Sequence, residues 1–244
     1  MDELILLNQS LTPMDKTAAE FWADGPRTES PPGHWNQLAH GISTRDSHDI
    51  GQDVRMYFAL NAALFDAGIA CWDAKRHYDF IRPVTAIRFL YSGQTITAWV
   101  GPNGGTAEIA GESWRPYQDL RFVTPAFAEY VSGHSTFSYA AAEVLKRFAG
   151  SDDFYDGVSR TVQDIDEDGT PDLLGEFIQA PGSWEFEDGP SAPIILRWAT
   201  FSAAAEQAGY SRRLGGIHIQ DGDLHGRTLG RQTGETAYLK AERL

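Results

Sequence analysis

A chain of 244 residues, 42% of them apolar, is long enough to bury one large core or two small ones. Its formal net charge of −14 argues against nucleic acid and anionic lipid as partners, since both need a basic surface. One cysteine, Cys71, excludes an internal disulfide, and no run of roughly 18–20 uncharged apolar residues suggests a membrane span.

The N-terminal MDELILLNQSLTPMD carries acidic residues where a secretory leader carries basic ones, so no leader is expected. A short helix is predicted around 15–23, followed by GPRTESPPGHW, a loop by composition. From Gly51 to about Ile81 the pattern is helical, with Val54, Phe58, Ala62, Phe65, Ile69 and Trp72 at three- and four-residue steps. Pro83 ends or kinks that helix, and a second runs over about 84–92. Residues 93–125, rich in Gly, Pro and Thr, read as irregular. A helix over 132–148 stops at Gly150. Residues 161–190 form an acidic insert without Lys or Arg. Helices are predicted over 192–208 and from Gly216–His218 to beyond 235. Strand signals are scarce, and neither a repeat nor a linker divides the chain. The expectation is a single all-α domain over 1–244, a helical bundle with long loops.

Three segments combine basic residues with histidine. In KRHYDFIRP, Lys75 and Arg82 are seven apart, so on a helix both point to one side; alone they would be two solvated charges at a helix end. In YVSGHSTF, Ser132, Gly133 and His134 open a helix. The Ser132 hydroxyl and Gly133 N–H can both donate to an oxyanion, Gly lets the anion approach the backbone, and His134 can move a proton. In SRRLGGIHIQDGD, Gly215 and Gly216 allow a turn that brings Arg212 to face the start of a helix carrying His218. Each segment alone is compatible with ordinary surface chemistry. Together they supply two Arg, one Lys, a hydroxyl, a backbone N–H and two His, a set that suits a tetrahedral, multiply charged oxyanion.

The order Lys-x6-Arg-Pro, Ser-Gly-His and Ser-Arg-x5-His resembles the vanadium-dependent haloperoxidase and type 2 phosphatidic acid phosphatase superfamily, from about residue 50 to the C-terminus with the insert set aside. The style is closest to bacterial haloperoxidase homologues. The resemblance implies that Lys75, Arg82, Ser132, Gly133 and Arg212 hold the oxygens of vanadate or phosphate. It makes His218 the apical vanadium ligand, or the phosphorylated nucleophile of a phosphatase, and His134 the acid–base residue. Trp72, three before Lys75, and Phe127, five before Ser132, resemble the aromatic wall of a fungal chloroperoxidase pocket; ordinary core aromatics are the alternative. The implied substrates are hydrogen peroxide, a halide and a small organic molecule; a homo-oligomer is left open.

The chain departs from the family at two places. Val131 stands where Pro is usual before Ser-Gly-His, and Gly222 where an Asp is usual four residues after His218. That Asp would orient the other ring nitrogen of His218. Asp221, or less favourably Asp223, is the expected substitute. In the insert, DIDEDGTPD sets Asp164, Asp166, Asp168 and Asp172 around Gly169 like the first half of a calcium loop. The Glu due at loop position twelve is Gly175, so a solvated acidic loop is the alternative to bound Ca2+. Three functions follow: a vanadium haloperoxidase, a soluble acid phosphatase acting through phospho-His218, and a homologue disarmed by Gly222.

Overall fold

The computed structural model describes residues 1–155 and 174–243. It is mostly helical. In chain order come α1 (Asp2–Gln9), α2 (Pro13–Phe21), α3 (Ser30–Asp46), α4 (Ile50–Tyr78), α5 (Pro83–Leu90), strands β1 (Thr95–Trp99) and β2 (Thr106–Ala110), α6 (Gly133–Ala149), β3 (Glu176–Gln179), β4 (Ile194–Arg197), α7 (Phe201–Leu214) and α8 (Gln220–Ala241). The elements missed in sequence are short or atypical. Helix α1 was not expected. The supposed loop GPRTESPPGHW holds the start of α3, because Pro31 and Pro32 fall in the first turn, where no N–H partner is required. Irregular 93–125 contains the β1–β2 hairpin, paired from Thr95↔Ala110 to Trp99↔Thr106. The helix expected over 192–208 is instead β4 followed by α7, which starts only after Thr200 accepts a bond from the N–H of Ala203.

Helix α6 is the hub and packs against α3, α4, α7 and α8. Ser132 caps it, its hydroxyl accepting from Ser135 N at 3.3 Å, and Gly150 ends it at φ +76°. Residues 135–145 of α6 are all buried. Around it lies a core rich in tryptophan, in which Trp22, Trp35 and Trp198 are almost wholly buried. Their indole N–H groups are bonded: Trp35 to Ser138 Oγ (2.9 Å), and Trp22 and Trp198 both to Gln207 Oε1 (3.1 and 2.9 Å). A buried indole left without an acceptor would be costly, so Gln207 ties α2 and β4 to α7.

Helix α4 begins with the reciprocal Asp49–Gln52 cap expected of a strong helix start. It ends at Asp79 in the left-handed region, three residues before Arg82. The apolar series found in its sequence faces outward: Val54, Phe58, Phe65, Ile69 and Trp72 are exposed. The buried face is instead Met56, Ala59, Leu60, Ala63, Leu64, Ala67, Cys71 and Lys75. Small residues win the inner position because α4 lies against both α6 and α8. By length and composition, Ile50–Leu90 is apolar enough to cross a membrane.

The tightest packing is between α6 and α8. Gly222, Gly226, Gly230 and Gly234 recur every fourth residue and so form one ridge of α8. A Cβ on Gly226, Gly230 or Gly234 would lie under 3.0 Å from the carbonyl oxygens of Ser132, Thr136 and Ala140 respectively, the matching steps of α6. Asp223 locks the contact: it accepts from Ser135 Oγ (2.8 Å) and takes both Nε and Nη2 of Arg227 (2.8 Å each). We expect Gly230→Ala to lower stability by ~1–3 kcal/mol through forced separation of the helices. The urea midpoint should fall at unchanged slope, whereas Thr236→Ala, on the exposed face of α8, should stay within ~0.5 kcal/mol.

Candidate active site

The three basic segments meet around one cavity of about 650 Å³, whose lining includes Phe21, His34, Trp72, Phe127, His134 and His218. Gly133 also lines it; Lys75, Arg82, Ser132 and Arg212 are buried behind the lining side chains. Lys75 and Arg82 converge, although not on a common helix as their spacing suggested: Lys75 is in the last turns of α4, and Arg82 is the extended residue before α5. Lys75 Nζ donates to the carbonyls of Ala128 and Glu129, both at 2.9 Å. Arg82 donates through Nε to Phe127 O (2.7 Å) and through Nη1 to Ile217 O (2.9 Å). Its Nη2 is buried with no hydrogen-bond partner among the described residues. Phe127 packs beside both cations, its ring centre 5.2 Å from Lys75 Nζ and 5.0 Å from the Arg82 guanidinium carbon, and 5.2 Å from the Trp72 ring.

His134 occupies the first turn of α6, as its sequence suggested. Its Nε2 lies 3.3 Å from Asp24 Oδ2, outside hydrogen-bond alignment, while Asp24 Oδ1 is 2.8 Å from His34 Nδ1. Asp24, Glu29 and His34 bring ligand-type atoms within 4.8 Å of one another, but Asp24 is already paired with the histidines. Arg212 is fully buried at the end of α7, donating to Ser211 Oγ (2.9 Å) and Ala19 O (2.5 Å). His218 is not on a helix. It sits in the turn ahead of α8, which is fastened when Ile217 N and His218 N donate to Arg212 O at 3.0 and 3.3 Å.

His218 does have a carboxylate partner, but neither expected one. Asp221 is exposed, and Asp223 is held by Ser135 and Arg227. Helix α8 begins at Gln220, so His218 precedes it and the assumed helical spacing does not apply. The partner is Glu129, in the segment leading to α6: its Oε1 is 2.6 Å from His218 Nδ1. Among the described residues, Glu20, Asp24, His34 and Glu129 are site residues the sequence reading missed. Glu129 is an acidic residue three positions before Ser132 in a segment already picked out, which is the one available signal; nothing local marks Asp24. Asp164, Asp166, Asp168 and Asp172 lie outside the described residues.

Burial sets the charge states. It lowers Lys75 to about 8, and Arg82 and Arg212 to about 10 each, which leaves both guanidinium groups charged at neutral pH. His134 is pushed down by burial and by Arg212, against the opposing pull of Asp24. His218 is pushed far down by burial, then by Arg82 and Lys75. Burial raises Asp24, but His34 and His134 outweigh it and hold the carboxylate well below its usual range. The outcome is two neutral imidazoles beside three cations, a state in which imidazole nitrogen can act as a ligand or take a proton.

The three basic segments thus form one buried cationic site inside a helical bundle. Residues 55–244 match the family model for the second helical-bundle domain of vanadium chloroperoxidase, and the chain belongs to that family. It is 24% identical over 155 residues to the vanadium chloroperoxidase of Curvularia inaequalis, spanning 56% of this chain and 23% of that protein. Among solved structures, an apo-type bacterial vanadium-dependent chloroperoxidase superposes with a TM-score of 0.81 at 24% identity, covering 99% of this chain and 48% of that one. Its holo-type counterpart gives 0.78 at 23%, with 99% and 47% covered. A bacterial vanadium-dependent iodoperoxidase gives 0.68 at 25%, with 98% and 47% covered. The chain thus spans about half the length of these structures and about a quarter of the curated relative.

Glu20 lines the cavity and accepts from Tyr117 OH and Glu185 N, both at 2.6 Å. Burial raises it from 4.5 to about 7, and it raises Glu129 to about 7 as well. A raised carboxyl binds its proton more tightly when folded. Its contribution to stability is therefore full below pH 4.5 and lost as pH climbs through about 7. Glu20→Gln should make that fall shallower, which urea melts at pH 5 and pH 8 will measure; an unchanged pH slope contradicts it.

Proposed function

We propose that this chain binds vanadate in the floor of the cavity and oxidises halide with hydrogen peroxide to a hypohalous-acid equivalent that acts on small organic substrates. The observation that carries this reading is the buried Arg82 Nη2, without a partner among the described residues, on the same guanidinium whose Nη1 lies 3.3 Å from His218 Nε2. An orphaned, charged N–H beside an imidazole nitrogen is an oxyanion site in waiting. The donor set fits vanadate: Lys75, Arg82, Arg212, the Ser132 hydroxyl and the Gly133 N–H for its oxygens, and His218 Nε2 for the metal. When bound, vanadate supplies the Lewis-acid centre that activates peroxide for a two-electron oxidation.

The protein's own part is electrostatic and protolytic. Lys75, Arg82 and Arg212 are already oriented by backbone carbonyls or by Ser211, so they need no reorganisation to stabilise added negative charge. Neutral His134, on the cavity wall with its Nε2 facing Asp24 Oδ2, takes up or returns a proton. Phe127 and Trp72 keep water from the cations, which strengthens their pull on an oxygen-bound anion. The same pocket would admit a phosphate ester, with His218 as nucleophile, so phosphatase activity is the competing outcome.

The deciding assay is halide oxidation by peroxide with and without orthovanadate, beside phosphate-ester hydrolysis. Vanadate-dependent oxidation supports the reading; hydrolysis alone replaces it. His218→Ala should abolish vanadate binding, while His134→Ala should keep binding and lose ~10²–10⁴-fold in turnover. Equal vanadate affinity in wild type and His218→Ala removes the ligand assignment. Phe127→His adds a titrating group and water beside Lys75 and Arg82, so the chloride rate should fall more than the bromide rate with vanadate still bound. An unchanged ratio at fixed pH and peroxide makes Phe127 plain packing.

A further inference from the structure

The carboxylate that reaches His218 comes from a different part of the fold than the chain's own sequence around His218 suggests. Glu129 is fully buried. Its backbone N–H donates to Phe80 O at 2.9 Å, and its carbonyl accepts from Lys75 Nζ at 2.9 Å, so the loop before α6 is pinned to the end of α4 and the approach to α5. Its Oε1 faces two groups, His218 Nδ1 at 2.6 Å and the Ile219 N–H at 3.2 Å. On the far side of the ring, Nε2 lies 3.3 Å from Arg82 Nη1. A guanidinium has only donors, so this long contact, from a nitrogen that already donates to Ile217 O, favours a bare Nε2, while the shorter contact to Glu129 is the stronger hold on the proton at Nδ1. The two contacts therefore agree on one tautomer, with the proton on Nδ1 and Nε2 unprotonated, its lone pair facing Arg82 Nη1.

Gly222 completes the arrangement. A Cβ at that position would fall under 3.0 Å from Oε1, Cδ and Oε2 of Glu129, and these three atoms are its nearest neighbours. The space in which any side chain at position 222 would start is the space that the Glu129 carboxyl fills. Gly222 is also the residue whose carbonyl accepts from Ser132 N at 2.9 Å, so its backbone cannot retreat without disturbing the cap of α6.

We infer that Glu129 is the positioning residue for His218, and that Glu129 and Gly222 are an interlocked pair in which the orienting carboxylate has moved from α8 to the loop before α6. Gly222 does not disarm His218; it makes room for the group that arms it. The role given to His218 rests on the vanadate reading above, but the tautomer does not.

Two readouts test this, one of them independent of vanadate. The first is the ¹⁵N chemical-shift pattern of His218 in ligand-free protein, which reports the Nδ1–H tautomer. The second is orthovanadate affinity by calorimetry. Wild type should show a single Nδ1–H tautomer. Glu129→Gln should retain it, since its amide oxygen can accept from both Nδ1 and Ile219 N. Glu129→Ala should show mixed tautomers and lose about 10–100-fold in vanadate affinity. Gly222→Asp alone should be destabilised by overlap with Glu129. Glu129→Ala/Gly222→Asp should regain stability, tautomer and most of the affinity, a non-additive cycle. Wild-type tautomer and affinity in Glu129→Ala would overturn the inference, as would a folded double variant with mixed tautomers. If Glu129→Ala does not fold, the double variant decides alone. If wild type holds the single tautomer yet binds no vanadate, the functional reading fails and the positioning role stands.

Discussion

Everything at this site depends on how closely α8 lies against α6. The ridge of Gly226, Gly230 and Gly234 lets the backbone of one helix touch the carbonyls of the other, and Asp223 clamps it through Ser135 and Arg227. That contact places the turn ahead of α8, which carries His218, beside the capped start of α6, which carries Ser132, Gly133 and His134. The bond from Ser132 N to Gly222 O joins the two turns directly. With larger residues on the ridge, the turn that carries His218 would stand farther from the start of α6 that carries His134.

The second constraint is electrostatic. A chain of net charge −14 buries Lys75, Arg82 and Arg212 in one region. Burying cations is costly unless their protons are bonded, and most here are bonded to backbone carbonyls or a serine hydroxyl rather than to carboxylates. Carbonyl acceptors hold the groups in place without neutralising them, so the positive field stays available to an incoming anion. The nearby carboxylates face histidines instead, Glu129 facing His218 and Asp24 facing both His34 and His134. Each arrives from outside the segment carrying its histidine: Glu129 from the loop before α6, Asp24 from the connection between α2 and α3.

The sequence reading was strongest where signals are local. The periodicity of α4, the Ser132–Gly133–His134 opening of α6 and the Gly150 stop depend on residues within a few positions of each other, and these elements came out with their ends nearly right. It was weakest where the deciding partner is distant. The outward apolar stripe on α4 has as good a helical period as the inner one, so periodicity alone cannot choose between Phe58 and Ala59 for the core. Strand β4 was read as helix because IILR carries no alternation, and its partner β3 lies 18 residues earlier.

By itself the sequence determined that the chain is a helical bundle and that Ser132–Gly133–His134 open a helix, and residue type alone grouped Lys75, Arg82, Arg212 and His218 as candidates for one site. Those facts follow from residue type and short spacing. Only the tertiary structure decided that Arg82 leaves the helix of Lys75 before joining it, that His218 lies in a turn rather than on α8, and that Glu129 takes the place that Asp221 or Asp223 was expected to fill. Short-range rules set which backbone groups are satisfied within an element. Which carboxylate reaches a buried imidazole depends on how tightly two distant helices pack, and that distance here is set by glycines whose lack of a side chain leaves no local signature of what they touch.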